Sequence, residues 1–321
     1  MKLLITGGAG FIGSHLAERL IEMGHLVTAL DDLSTGSSGN IAPLEKNPNF
    51  EFIKGSMLDE KLIESMMSRV DGCIHLGAAL GVQRILEKPY QSLVANIHGS
   101  EIAIKAAAEQ GKRFFLASTS ELYGKNPKQP LTEESDRVLG SPQLIRWAYS
   151  EAKALDESLA QMFMASHGLK FVTGRFFNTV GPRQSGAYGM VLPRFVASAM
   201  KNEPLLVYGD GSQSRVFCHV SDAINGVLKI FFDDKALGHA FNIGGEEEIS
   251  IKELAMRVIS VTNSSSSIEY LPYSKAYPEG FEETMRRVPD TSKLRKMTGW
   301  KPEFSLDGII SDIEKYLRAN S

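Results

Sequence analysis

Cysteine is scarce in this 321-residue chain; there are two, Cys73 and Cys218. Both sit beside apolar residues, in Cys73-Ile74-His75-Leu76 and Phe217-Cys218. A disulfide framework and a cysteine-based zinc site are thereby excluded, and both thiols read as buried and free. No run of 18 or more apolar residues occurs, so no membrane span and no membrane partner are expected. No cleavable apolar segment precedes the first strand, which makes the cytoplasm the expected compartment. Neither sign of charge dominates. The formal net charge is −3 with both signs interspersed, which argues against nucleic acid or a membrane surface as the main partner. The Ser264 to Ser267 run is too short for a disordered linker. A hydrophobic share of 43% and a charged share of 23% are ordinary for a globular protein. The length is close to two domains of common size.

Apolar periodicity supplies the organisation. Met1 to Thr6 reads as a buried strand. Phe11, Ile12, Leu16, Leu20 and Ile21 then recur at helical spacing up to Gly24, and a second strand runs from His25 to Leu30. Strand, helix and strand within this length imply parallel pairing through a crossover helix. The alternation continues with strands at Phe50 to Lys54, Gly72 to Leu76, Arg113 to Ser118 and Lys170 to Arg175. Helices are expected at Glu60 to Ser68, Leu93 to Glu109 and Ala148 to His167. The fold class that follows is α/β, a doubly wound, Rossmann-like parallel sheet. After Asn178, Gly and Pro cluster, with a helix at Leu192 to Lys201. The expected division is a nucleotide-binding unit over 1–177 and a smaller C-terminal lobe over 178–321, with segments near 216–245 returning to the sheet.

Gly7-Gly8-Ala9-Gly10-Phe11-Ile12-Gly13 lies between the first strand and the first helix. Glycines at 7, 10 and 13 permit a tight turn, a close backbone approach to a pyrophosphate and close packing of helix on strand. The helix start then faces the anion. Asp31 ends the second strand, placed to accept hydrogen bonds from ribose hydroxyls and to repel a 2′-phosphate. No Arg or Lys lies between Asp31 and Asn40 to offset that repulsion. The cofactor expected is therefore NAD, in preference to NADP.

Tyr149 and Lys153 stand four apart on one helix face. A free Tyr is too weak an acid to serve as a base at neutral pH, and a nearby ammonium together with a positive nicotinamide favours its phenolate. Ser118-Thr119-Ser120-Glu121 ends a strand on the side where ligands bind in such sheets, so its hydroxyls can reach the same substrate oxygen.

Together these residues resemble the extended short-chain dehydrogenase/reductase family, in its nucleotide-sugar epimerase and dehydratase branch. The likeness runs through GGAGFIG at 7–13, DDLSTG at 31–36, HLGAA at 75–79, STSELYG at 118–124, YSEAK at 149–153, RFFNTVGPR at 175–183, VYGDGSQSR at 207–215, FNIGG at 241–245 and RRVPDTSK at 286–293. The resemblance implies Tyr149 as the base for the sugar 4-hydroxyl. It implies Lys153 on the nicotinamide ribose and Thr119 on the sugar oxygen, with Ser120 and Glu121 beside them. For the cofactor it implies Gly7, Gly10, Phe11, Ile12 and Gly13; Asp31, Asp32, Ser34, Thr35 and Gly36; Ser56 and Met57; Leu76, Gly77, Ala78 and Ala79; and Asn96 as a structural Asn. For a substrate diphosphate it implies Asn178, Arg215 and Arg287, with Arg286 competing for the last role. Arg183 is a candidate partner for a C6 carboxylate. No metal is implied, and a homodimer through the helices at 93–109 and 148–167 is. Two departures stand out. Gly55-Ser56-Met57 lacks the family's usual Asp, so the adenine contact is either weaker or shared by Ser56 and Asp59, and Gly77 replaces the usual Ala.

A 4-keto intermediate is common to this branch's epimerases, decarboxylases and 4,6-dehydratases, so Tyr149 and Lys153 do not separate them. Ser120 where dehydratases carry Asp disfavours dehydration, and Glu121 points toward decarboxylation. The segments 175–183, Tyr188-Gly189-Met190 and Phe217-Cys218-His219 resemble bacterial 4-epimerases more closely, and the Gly-rich stretch Gly181 to Gly189 offers a sugar room to turn. The expectation is 4-epimerisation of a UDP-hexose or UDP-hexuronate. The alternative is decarboxylation of UDP-glucuronate. A simple dehydrogenase that releases NADH and a non-catalytic NAD sensor are further readings; the presence of both Tyr149 and Lys153 speaks against the sensor.

Overall fold

Strand β1 (Lys2–Thr6) shows how the sheet is built. Leu3 and Ile5 point into one buried cluster, and Leu4 into another. A strand covered on both faces needs apolar residues at successive positions. Phe114 and Phe115 divide between the same two clusters. The computed structural model describes residues 1–79, 89–186, 190–276 and 282–320.

The remaining strands of this sheet are β2 (Leu26–Asp31), β3 (Phe50–Lys54), β4 (Gly72–His75), β5 (Arg113–Thr119), β6 (Lys170–Phe176) and β7 (Ala240–Ile243). Their order is β7-β6-β5-β4-β1-β2-β3, and every pairing is parallel. The order reverses between β1 and β4. Chain segments leaving those two strands diverge there, which opens a crevice at their carboxyl ends.

One face is covered by α1 (Phe11–Glu22) and α6 (Val220–Phe231), with Trp300 and Leu294 joining them. The other face is covered by α2 (Glu60–Met67), α3 (Pro89–Glu109) and α4 (Ala148–His167). Asp59 caps α2 through its carboxylate, and Gly168 ends α4 in a left-handed conformation. A third cluster lies beneath the C-terminal lobe. It joins α5 (Val191–Met200), α7 (Ile251–Val261) and α8 (Leu306–Ala319). Beside it, the short strands Ser214–Val216, Glu248–Ser250 and Arg286–Arg287 form a small sheet. The chain is therefore not split at one point, since β7 and α6 belong to the first sheet although they follow the start of the lobe.

Burial pushes both thiols above the ordinary cysteine range, as expected of inert, enclosed cysteines. Among the described residues no helix is long and apolar enough to cross a membrane, and no group of three His, Cys, Asp or Glu side chains is placed to hold a metal.

Candidate active site

The Gly loop lies at the sheet's reversal point. A Cβ on Gly13 would stand 2.2 Å from the Gly7 carbonyl oxygen, so only glycine lets α1 start this close to β1. Gly10 caps α1 without a side chain, and no acidic residue occupies its first turn. The N–H groups of that turn and the positive end of the helix are left to an anion. Phe11 and Ile12, half-buried, form the helix start itself.

Asp31 is buried at the end of β2. Its carboxylate accepts from the Ala9 N–H at 3.0 Å and the Leu33 N–H at 2.8 Å, and burial raises its pKa. It thus ties the Gly loop to the turn 32–36, where Asp32, Ser34 and Thr35 are exposed and Gly36 lies against the Asp31 carboxylate. The expected adenine contacts from Ser56 and Asp59 meet prior engagements. The Ser56 hydroxyl accepts from the Leu58 N–H at 3.2 Å, and Asp59 accepts from Leu62 as the α2 cap.

Gly77 has a physical reason. A Cβ there would meet Met57 Sδ at 2.9 Å and Thr6 Oγ1 at 3.1 Å, and Met57 also fills the space over Gly99. Met57 and Gly77 are thus sterically complementary. Beyond Leu76 and Ala78, both half-buried, Asn96 clamps Ala79. Its side-chain oxygen accepts from the Ala79 N–H at 2.6 Å, and its amide donates to the Ala79 carbonyl at 3.1 Å. Its role here is to hold the 76–79 segment.

Tyr149 and Lys153 lie one turn apart on α4, as the spacing requires. Thr119 ends β5 and caps the turn that follows, accepting from the Glu121 N–H at 3.2 Å. Ser150 donates to the Glu121 carbonyl at 2.8 Å, which fastens that turn to α4. Ser120 is buried within it. Burial, then the Glu121 and Asp156 carboxylates, raise the Tyr149 phenol above its usual range. The Lys153 ammonium pairs with Asp156 at 3.1 Å.

Glu121 is the centre of charge. Its carboxylate is held by Arg287 on one oxygen and by Arg146 on the other, the latter at 2.6 Å. The two guanidiniums hold its carboxyl well below the usual range despite burial. Arg287 also donates to Asn178 at 3.1 Å, and Asn178 in turn donates to the Val216 carbonyl at 2.8 Å. Arg215 stands opposite Arg287 across two parallel strands and pairs with Glu283 at 2.8 Å. Arg287 and Arg215 are buried, whereas Arg286 is exposed and pairs with Glu248. Adjacent side chains of a strand point to opposite faces, so the two neighbours part in this way.

Arg183 does not join this group. It pairs with Glu18 on α1 at 2.6 Å, beside the contact of His15 with the Pro182 carbonyl at 2.9 Å. These contacts brace α1 against the loop 181–183. Tyr188 and Gly189 lie outside the described residues.

Arg146 escaped the sequence reading. Its signal was position, three residues before Tyr149 and next to Trp147, on whose ring its guanidinium lies 5.1 Å from the centroid. His75, Ser100 and Asp156 also escaped it, since only the packing of β4 against α3 and α4 brings them together.

Residues 4–313 match the family model described as GDP-mannose 4,6 dehydratase. A UDP-N-acetyl-alpha-D-glucosaminuronate decarboxylase of Bacillus cytotoxicus is 40% identical over 318 residues, covering 99% of this chain and 98% of the relative. UDP-glucuronic acid decarboxylase 1 of Danio rerio is 34% identical over 99% of this chain and 73% of its own. A UDP-glucuronic acid 4-epimerase of Bacillus cereus, crystallised with UDP-glucuronic acid and NAD, superposes with a TM-score of 0.90 at 27% identity, with both chains covered in full.

Proposed function

The chain belongs to the extended short-chain dehydrogenase/reductase family of nucleotide-sugar enzymes, and from that premise we propose that it is an NAD-dependent decarboxylase of a UDP-linked hexuronate. Glu121 carries the choice. It lies in the Thr-Ser-Glu run that resembles decarboxylases, and two guanidiniums keep it ionised. The sequence alone puts 4-epimerisation first. The two decarboxylase relatives and the clamp on Glu121 reverse that order. UDP-N-acetylglucosaminuronate is the first substrate to test, because that relative matches over nearly its whole length.

The Gly loop, the uncapped start of α1 and Asp31 fit NAD, with Lys153 reaching its nicotinamide ribose. Bound NAD supplies the hydride acceptor for sugar C4 and returns the hydride at the end, so there is no net redox change. Tyr149 takes the proton of the 4-hydroxyl. The resulting C4 ketone lies β to the C6 carboxylate. The C5–C6 bonding pair moves toward the carbonyl as CO₂ leaves, giving an enolate that Tyr149 and Thr119 hold through its oxygen. One proton is then added at C5, in place of the lost carboxylate. An ionised Glu121 only accepts hydrogen bonds, so it orients the proton carrier, Ser120 or a water, rather than supplying the proton itself. Arg215, with Arg287 and Asn178 beside it, is the group suited to the diphosphate.

The test is to incubate the protein with UDP-N-acetylglucosaminuronate, UDP-glucuronate and UDP-glucose, and to resolve the products by mass spectrometry and NMR. Loss of one CO₂ from a uronate supports the reading. A product of unchanged mass with C4 inverted overturns it in favour of the epimerase.

A further inference from the structure

Behind Lys153 runs a buried chain of hydrogen bonds that none of the proposed chemistry uses. Lys153 and Asp156 are 2% and 1% exposed. They are three residues apart on α4 and so share a face. The Asp156 oxygen that accepts from Lys153 also accepts from the Ser100 hydroxyl on α3 at 2.8 Å. Ser100 lies 3.2 Å from His75 Nε2, and His75 Nδ1 lies 2.8 Å from Thr6 Oγ1. Thr6 Oγ1 accepts from the Gly77 N–H at 3.1 Å.

The direction of every bond is forced. A carboxylate only accepts, so Ser100 gives its one proton to Asp156 and must accept from His75 Nε2–H. His75 Nδ1 is then unprotonated and accepts from Thr6. Burial and the Lys153 charge push the His75 pKa down to about 3, so the ring is neutral. The chain therefore ends at the Asp156 carboxyl, whose pKa burial raises and Lys153 and Ser100 pull back down, and begins at the 76–79 segment that borders the cofactor crevice.

We propose that Asp156, fixed by Ser100 and His75, is a positioning residue that serves as the counter-charge of Lys153 and balances that ammonium against Tyr149. The charged groups that bear on the Tyr149 phenol are Glu121 from the turn after β5 and Asp156 from its own helix, with Lys153 one turn along that helix. Arg146 and Arg287 stand behind Glu121, and Glu157 is turned away onto Arg175. Tyr149 must both take a proton and return it within one turnover, which works best when its acidity lies near the working pH. An ammonium at Lys153 and a positive nicotinamide favour the phenolate, whereas burial and Glu121 favour the phenol. Asp156 also favours the phenol. The inference rests on Tyr149 as the base, in the reading above.

The experiment titrates the phenolate absorbance of Tyr149 in the NAD-loaded protein, with Tyr149→Phe as the blank that removes the other tyrosines. In Asp156→Asn the Tyr149 titration moves down by about one pH unit or more, a tenfold gain in acidity. In Asp156→Glu, which keeps the charge, it stays near the wild type. Ser100→Ala disturbs the same packing and keeps every charge, so a shift there as large as in Asp156→Asn overturns the proposal. Where Asp156→Asn does not fold, Lys153→Met is compared with Lys153→Met/Asp156→Asn, which buries no unpaired ammonium. The double variant titrates at least one unit below the single one, and equal titrations overturn the proposal. Because the phenol is read directly, failure here is separate from failure of decarboxylation, which only the product analysis detects.

Discussion

Replacing Glu121 by Gln removes one charge and keeps the shape. In the native protein its carboxylate is shared by Arg146 and Arg287, whose side chains are 9% and 10% exposed. Removing one partner of a buried ion pair costs about 3–5 kcal/mol, because the other charge stays buried and unpaired. Two features reduce that figure. The Gln carbonyl still accepts from one guanidinium, and Arg287 keeps Asn178. The expected loss is then about 2–4 kcal/mol, or roughly 4–8 °C in Tm for a chain of this size. The pH dependence has a definite sign. The folded Glu121 pKa is depressed below its usual value of 4.5. Its contribution is therefore complete above that value and is lost as the pH falls through the folded one. Calorimetry of both proteins should give a gap in Tm that is constant from about pH 6 to 8 and narrows below about pH 4.5. A gap smaller than ~1 °C at neutral pH, or one that does not narrow in acid, refutes the clamp.

Tyr149→Phe should lower turnover by about 10²-fold or more while NAD binding, followed by protein fluorescence, is retained; activity within a few-fold of the wild type would mean another group is the base. Arg287→Ala should lower kcat/KM for the uronate at least about tenfold, and Arg286→Ala should leave it nearly unchanged, since Arg286 is exposed on the far face. Gly77→Ala forces a Cβ against Met57 and Thr6 and should destabilise by about 1–3 kcal/mol in denaturant titration; Met57→Ala in the same chain should restore part of the loss, and no rescue would mean that Thr6 is the obstacle. Light scattering should give a dimer mass at micromolar concentration, through α3 and α4. Leu155 and Met162 are exposed on the outer side of α4, where an isologous helix pairing can cover them.

The sequence by itself determined the alternating elements, the doubly wound sheet and the Gly loop, because each rests on local physics. Periodicity of burial sets strand and helix, and glycine at 7, 10 and 13 is demanded by a turn only a few residues long. Ala148–His167 could be read to its ends, since apolar spacing starts it and Gly168 stops it. The Tyr149–Lys153 pairing was legible for the same reason, as one helical turn joins the two. What only the tertiary structure decided are contacts between residues far apart in the chain. Arg287 reaches Glu121 because a two-residue strand places it beside Arg215, and nothing near position 287 encodes that neighbour. Arg183 pairs with Glu18 on α1, a partner 165 residues away in the chain. The partner of Lys153 depended on three elements meeting in the core, where a buried charge has to find a counter-charge or be expelled, and that requirement appears only once the chain has enclosed it.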